Sequence, residues 1–262
     1  MISFTKRPNS NNCNDIMITK YFKHHSRALN RDMEYKVYGE HGRGVLVFSS
    51  QNGRFFDYEN FGMVDALDPF IESGEIHLIC ADSIDTETWS NAQAAPRQRL
   101  ELHEQWFKYI ISELIPEVNP KGQQLIVTGC SMGGFHAANA FFRHPELFST
   151  LIAQSGVYNA SYFFGSYKDD ITYANSPQDF LWLMPEDHPY LSLYRQRDII
   201  LCVGQGAWED DMLRSTHEME RALKAKNIPA WVDYWGTDVA HDWPWWRRQI
   251  VYFMGKVLES AK

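Results

Sequence analysis

Short apolar runs of strand length recur along this chain, and longer stretches of helical periodicity separate them. The runs are VLVFSS (Val45–Ser50), IHLICA (Ile76–Ala81), LIVTG (Leu125–Gly129), LIAQSG (Leu151–Gly156), IILCVG (Ile199–Gly204) and WVDYW (Trp231–Trp235). Continuous apolar character over so few residues suits strands buried on both faces. Between them, Arg97–Ile115 sets Leu100, Phe107, Ile110, Ile111 and Leu114 on one side of a helix, and Asp210–Lys226 does the same with Met212, Met219 and Leu223. Strand and helix alternating to the C-terminus predict an α/β fold with a mostly parallel central sheet and helices on both faces. Upstream, the alternating segments Ile18–His24 and Met33–Tyr38 flank a turn at Ala28–Arg31 and predict an antiparallel hairpin.

A chain of 262 residues with 44% hydrophobic side chains is long enough for one large core. We expect a polar N-terminal segment over residues 1–15, poorly ordered, and a single domain over 16–262. The stretch from Val157 to Asp198 interrupts the alternation and holds Tyr158, Tyr162, Phe163, Phe164, Tyr167, Tyr173, Phe180 and Trp182. A connection of that length carries function or structure of its own, so a cap over the site is expected there. An aromatic insertion that packs on the scaffold is the competing reading.

The formal charge of -8 comes from dispersed carboxylates, and no Lys/Arg block is present to neutralise a run of phosphates. That disfavours a nucleic-acid partner. Neither a signal-peptide core nor a membrane-length apolar run is present, which predicts a cytoplasmic protein without a membrane partner. The four cysteines, Cys13, Cys80, Cys130 and Cys202, lack CxxC spacing, and the last three lie in or beside strand-like runs. Buried free thiols are therefore expected, with no metal site.

The chemistry concentrates at Gly129-Cys130-Ser131-Met132-Gly133-Gly134, directly after one predicted strand and before the helical stretch FHAANAFFRH. A sharp strand-to-helix turn exposes a nucleophile in a strained backbone, and its neighbours must be nearly free of side chain. Ser131 is thus the expected nucleophile. Its hydroxyl needs a base, and in this arrangement the acid and then the histidine follow along the chain. Glu209, Asp210 and Asp211 lie just past the run IILCVG. Glu209 falls in the connecting loop and is the expected acid, whereas Asp210 and Asp211 fall where an N-cap and first helical turn would use their carboxylates. Of ten histidines, only His241 lies in a loop after the last predicted strand and before a C-terminal helix, and it is the expected base. For an oxyanion hole, the Met132 amide supplies one donor, and the loop Gln51-Asn52-Gly53-Arg54 supplies the other through Arg54 or, failing that, Gly53. Trp208, Trp243 and Trp245 crowd the two loops, and Trp182 sits in the insertion, so Trp208, Trp243 and Trp182 are candidates for substrate contact.

With these residues placed, the chain resembles the putative-esterase branch of the α/β-hydrolases, the group of esterase D, feruloyl esterases and mycolyltransferases. The likeness runs from about Tyr35 to the end. It is carried by GCSMGGFHAANAFFRHPELF (Gly129–Phe148), NGRFFDYENFGM (Asn52–Met63) and HDWPWWRRQ (His241–Gln249). The resemblance implies ester hydrolysis through an acyl-enzyme, on a small-molecule ester, with Ser131, His241 and a carboxylate near Glu209, and no cofactor. It departs at the acid, where many members carry Asp on a shorter turn. An acyltransferase with the same acyl-enzyme, or a non-catalytic binding protein on the same fold, are the alternatives, and the oligomeric state, homo-oligomer included, is open.

Overall fold

The computed structural model describes residues 3–6 and 17–260. Its nine strands are β1 (Ser3–Lys6), β2 (Ile18–Ser26), β3 (Arg31–Tyr38), β4 (Arg43–Phe48), β5 (Ile76–Ala81), β6 (Leu125–Cys130), β7 (Phe148–Gln154), β8 (Asp198–Val203) and β9 (Trp231–Tyr234). They form one sheet in the order β1-β2-β3-β5-β4-β6-β7-β8-β9. The first three strands and the β3–β5 pair are antiparallel, and every other pairing is parallel. The expected hairpin is β2–β3. Ser3–Lys6 pairs with β2 from Ser3↔Tyr21 to Lys6↔Ile18 and extends the sheet, and residues 7–15 of the polar N-terminal segment lie outside the described residues. Cys13 lies outside the described residues, and Cys80, Cys130 and Cys202 are buried free thiols.

The helices are α1 (Asp57–Asn60), α2 (Met63–Glu72), α3 (Pro96–Tyr109), α4 (Ile115–Val118), α5 (Met132–Arg143), α6 (Ser161–Phe164), α7 (Asp170–Ala174), α8 (Pro177–Leu183), α9 (Pro189–Tyr194), α10 (Asp210–Ala225) and α11 (Trp243–Glu259). The single helix expected over Arg97–Ile115 is α3 followed by a π-helical stretch, Ile110–Leu114, that leads into α4. None of these helices is long and apolar enough to cross a membrane.

Successive strand residues point to opposite faces, so each apolar run feeds two cores. Leu46, Phe48, Val127, Ala153 and Leu201 pack with α3, α5 and α10, while Val45, Val47, Ile126, Ile152 and Ile200 pack with α2 and α11. In α11, Trp246, Ile250, Phe253, Met254 and Val257 recur at helical spacing and are all buried. Each such side chain stabilises the fold by about 1.5–3 kcal/mol. The strand order reverses at β4, which has β5 on one side and β6 on the other. A crevice opens beyond the carboxyl ends of strands at such a reversal, and there the β4 loop and the β6–α5 turn meet.

The 157–198 insertion is helical, comprising α6 to α9. Its second half is scaffold: Leu181, Leu191 and Tyr194 are buried, and the Tyr194 hydroxyl donates to the Phe142 carbonyl. Its first half is tied down by Asn175, fully buried at the end of α7. The Asn175 Oδ1 accepts from Asn139 (2.6 Å), Arg143 (2.9 Å) and His103 (3.0 Å), and its Nδ2 donates to Glu104 (2.7 Å). Trp89 Nε1 donates to His103 Nδ1 at 2.9 Å, so the proton of the neutral ring sits on Nε2 and points at Asn175. Burial holds the His103 pKa well below its ordinary value, with the nearby His136 and Arg143 acting in the same direction.

This knot has two testable consequences. Asn175→Ala strands several buried donors and is expected to lower unfolding stability in urea by at least about 1–3 kcal/mol. Because the folded-state pKa of His103 lies below the unfolded value of about 6.5, the unfolded chain takes up its proton first as pH falls. The contribution is therefore fully present above about pH 6.5 and lost progressively below it, and His103→Gln should flatten that part of a plot of urea midpoint against pH.

Candidate active site

Ser131 sits between β6 and α5 at φ 57° and ψ -122°, a conformation that costs of order 1–3 kcal/mol for a residue with a Cβ. Its N–H donates to the Gln154 carbonyl at 2.9 Å. The flanking glycines are required by close approach of main chain. A Cβ on Gly133 would lie 2.2 Å from the Phe48 carbonyl oxygen, one on Gly129 would lie 2.3 Å from the Gly133 oxygen, and one on Gly134 would lie 2.8 Å from the Gln154 oxygen. The small residues thus let α5 start directly against β4 and β7. Cys130, next to Ser131, is buried, and desolvation pushes its thiol pKa up, so it is a closed-off neighbour rather than a rival nucleophile.

The loops after β8 and β9 bring two further residues to this turn. The Ser131 hydroxyl lies 2.9 Å from His241 Nε2, and His241 Nδ1 lies 3.2 Å from Glu209 Oε2. With Nδ1–H donating to the carboxylate, Nε2 is left as an acceptor for the serine proton. Glu209 is 1% exposed, and its other oxygen accepts from the Ser155 hydroxyl at 2.6 Å and, more loosely, from the Gly204 N–H at 3.4 Å. The two loops interlock through main chain: Gly206 N–H donates to Val239 O and His241 N–H to Ala207 O, both at 2.9 Å. A Cβ at Gly204 would lie 2.1 Å from that same Val239 oxygen, so this loop also needs glycine. Trp246, on the first turn of α11, packs its ring edge-on to His241 with centroids 4.8 Å apart.

Glu209 rather than its neighbours contacts the histidine. The helix begins at Asp210, so Glu209 itself occupies the N-cap position expected for Asp210, yet no side-chain capping bond forms there. Its carboxylate points back across the sheet instead. Asp210 and Asp211 lie in the first turn and border the cavity above Ser131, with Asp211 paired to Arg214.

The expected second oxyanion donors need correction. The Arg54 N–H donates to Asp57 Oδ2 at 2.8 Å, and the Gly53 N–H donates to the Ser50 carbonyl at 2.9 Å. Both amides are occupied in the turn that starts α1. The Arg54 side chain points to Asp82 (2.6 Å) and Glu34 (2.9 Å). Gln51 is the member of this loop that lines the cavity, and its side-chain amide is pinned by donation to Ser90 Oγ at 2.8 Å. β4 ends at Phe48, earlier than the apolar run suggested, so the bend toward the crevice falls before Asn52-Gly53 rather than on it. Met132 lies at the free N-terminus of α5, where amides have no partner within the helix.

The cavity over Ser131 has a volume of about 350 Å³ and is walled by Met132, Phe135, Val157, Tyr162, Phe163 and Met212. Trp208, at φ 67° and 83% exposed, stands at its edge. The other two tryptophans expected to contact substrate do not line it. Trp243 stacks flat on Phe61 with centroids 4.4 Å apart, because the start of α11 lies against the turn between α1 and α2, and Trp182 borders a separate cavity with Tyr167 and Tyr173. The sequence reading missed Trp246, Ser155 and Gln51. Trp246 was visible only as one of a crowd of tryptophans, and Ser155 only as a Ser-Gly after a strand.

Comparison with solved structures finds the same architecture throughout. A ferulic acid esterase superimposes with a TM-score of 0.71 at 17% identity, over 92% of this chain and 97% of that one. An S-formylglutathione hydrolase from Agrobacterium tumefaciens gives 0.73 at 16% identity, over 98% of both chains. The fluorophosphonate-binding serine hydrolase F of Staphylococcus aureus gives 0.68 at 12% identity, over 92% of this chain and 98% of that one. These likenesses show the α/β-hydrolase fold. A search of curated proteins finds no match. The family model described as "Putative esterase" matches residues 26–256, which spans β3, the elbow and both loops of the site, and the chain therefore belongs to that family of ester hydrolases.

Proposed function

We propose that the chain hydrolyses small carboxylic esters through an acyl-enzyme on Ser131, with His241 as general base and Glu209 as the orienting acid. The observation that carries this reading is the continuous hydrogen-bonded path from Ser131 to His241 to Glu209 at the floor of a cavity with one apolar, partly aromatic wall. In the first half-reaction His241 Nε2 takes the hydroxyl proton as Ser131 Oγ attacks the ester carbonyl. The buried Glu209 carboxylate stabilises the imidazolium and keeps the ring in the required tautomer. The carbonyl oxygen becomes an oxyanion held by the backbone amides of Met132 and Gln51, and the dipole of α5 points its positive end the same way. Collapse breaks the ester C–O bond, and the leaving alkoxide takes the proton from His241. Water then repeats the sequence on the acyl-enzyme and frees the acid.

The cavity walls of Phe135, Val157, Tyr162, Phe163 and Met212 suit an apolar acyl chain or an aryl ring of limited size. Tyr162 and Phe163 come from α6, so the first half of the insertion shapes this space while the second half does not.

Ser131→Ala is expected to abolish turnover of p-nitrophenyl acetate and labelling by a fluorophosphonate probe without altering the thermal midpoint. Persistent labelling would move the nucleophile elsewhere. Glu209→Gln should cost turnover up to about 10⁴-fold. Asp210→Asn, whose side chain makes no bond to His241, should stay within a few-fold of wild type, so equal losses in the two variants would overturn the assignment of the acid. A third expectation concerns specificity: Tyr162→Ala or Phe163→Ala enlarges the cavity and should raise relative rates on longer acyl chains, whereas Trp182→Ala should leave the acyl-length profile unchanged. The profile is read from initial rates on p-nitrophenyl esters of graded length.

A further inference from the structure

We infer that Ser155 is a positioning residue of the reaction, whose hydroxyl holds the Glu209 carboxylate so that its second oxygen faces His241. The inference rests on the assignment of Ser131, His241 and Glu209 proposed above, and goes beyond it to a residue outside the triad.

Ser155 follows β7 directly, is fully buried, and adopts a left-handed backbone at φ 49°. Such a conformation disfavours any residue with a Cβ, and a glycine would take it freely. It is held by donation of the Ser155 N–H to the Cys202 carbonyl on β8 at 2.7 Å. What the serine adds to this backbone is a hydroxyl 2.6 Å from Glu209 Oε1.

The donor sense of that hydroxyl is determined by its other neighbour. Trp246 Nε1 lies 3.1 Å from Ser155 Oγ, and an indole nitrogen can only donate. The serine oxygen therefore accepts from Trp246, and its single hydrogen is left for the carboxylate. Glu209 Oε1 receives Ser155, Oε2 receives His241 Nδ1–H, and His241 Nε2 receives the Ser131 hydroxyl. Glu209 is thus the common acceptor of two chains of hydrogen bonds, one from the nucleophile and one from α11. Besides Ser155, among the described residues Oε1 has only the 3.4 Å contact with Gly204 N–H, too long to fix the orientation of this buried carboxylate. The same indole that directs Ser155 packs edge-on against His241, so Trp246 supports both partners of the carboxylate.

The test is Ser155→Gly, which suits the left-handed backbone and removes the hydroxyl together with the Cβ. Its kcat on p-nitrophenyl acetate is expected to fall about 10- to 100-fold, the range for losing a hydrogen bond to a charged group, with KM within twofold and a lowered but still cooperative thermal transition, because the buried carboxylate and the Trp246 N–H each lose a partner. Ser155→Ala, which keeps the Cβ, should show the same loss of kcat, and it serves if the glycine variant is poorly folded. A kcat within twofold of wild type in either folded variant would overturn the inference, as would a loss that appears in KM instead. Ser131→Ala run alongside separates the two levels. If it retains turnover, the triad assignment itself has failed; if it is inactive while Ser155→Gly is unimpaired, only the role of Ser155 has.

Discussion

Everything at this site depends on one strained residue, Ser131, held at positive φ between a buried strand and a buried helix. The strain persists because the surroundings over-determine it. α5 begins so close to β4 and β7 that glycine alone fits at Gly129, Gly133 and Gly134, and the Ser131 N–H is already committed to the Gln154 carbonyl. The helix that follows is buried almost all round, with Ala137, Ala138 and Ala140 letting it lie against the sheet. Any relaxation of the turn would have to move that helix, at the expense of packing on the side of the sheet it shares with α3 and α10. A large core thus maintains a small local cost, and the hydroxyl stays directed into the cavity.

The partners of Ser131 are positioned by a different device. The loops after β8 and β9 are short and irregular, yet they are fastened to each other by backbone hydrogen bonds around the Val239 carbonyl, with Gly204 and Gly206 making room. Glu209 and His241 are therefore fixed relative to each other. Carboxylate burial is tolerable there because both oxygens are satisfied, and an unsatisfied buried charge would cost far more than the bonds themselves contribute.

The insertion between β7 and β8 combines two functions that its aromatic density alone does not distinguish. Tyr162 and Phe163 wall the cavity, while Leu181, Leu191 and Tyr194 extend the core. The division falls near Asn175, whose amide ties α7 to α3 and α5. The anchoring polar groups lie on α3 and α5, elements already fixed by packing, and a small apolar cluster in which Ala160 and Phe164 pack with Trp89, Leu100, Met132 and Phe135 adds to them, so the first half of the insertion is held close to the elbow by both.

The alternation of apolar runs with helical periodicity determined the α/β class, the hairpin and five of the buried strands to within a few residues, since burial on both faces leaves so direct a mark on composition. The order along the chain of a glycine-flanked serine, an acid past a strand and a histidine before the last helix determined Ser131, Glu209 and His241 as candidates. Position in the sequence was enough there because each lies at the carboxyl end of a strand, and the sheet brings those ends together. Tertiary structure alone decided what depends on distance between separate elements. Gln51 replaces Arg54 and Gly53 at the cavity because the turn that starts α1 consumes their amides, and Trp243 and Trp182 leave the site because Phe61 and a second cavity claim them. Ser155 and Trp246 acquire their roles only where β7, β8 and α11 converge on the Glu209 carboxylate, a meeting of residues far apart in the chain that no local pattern encodes.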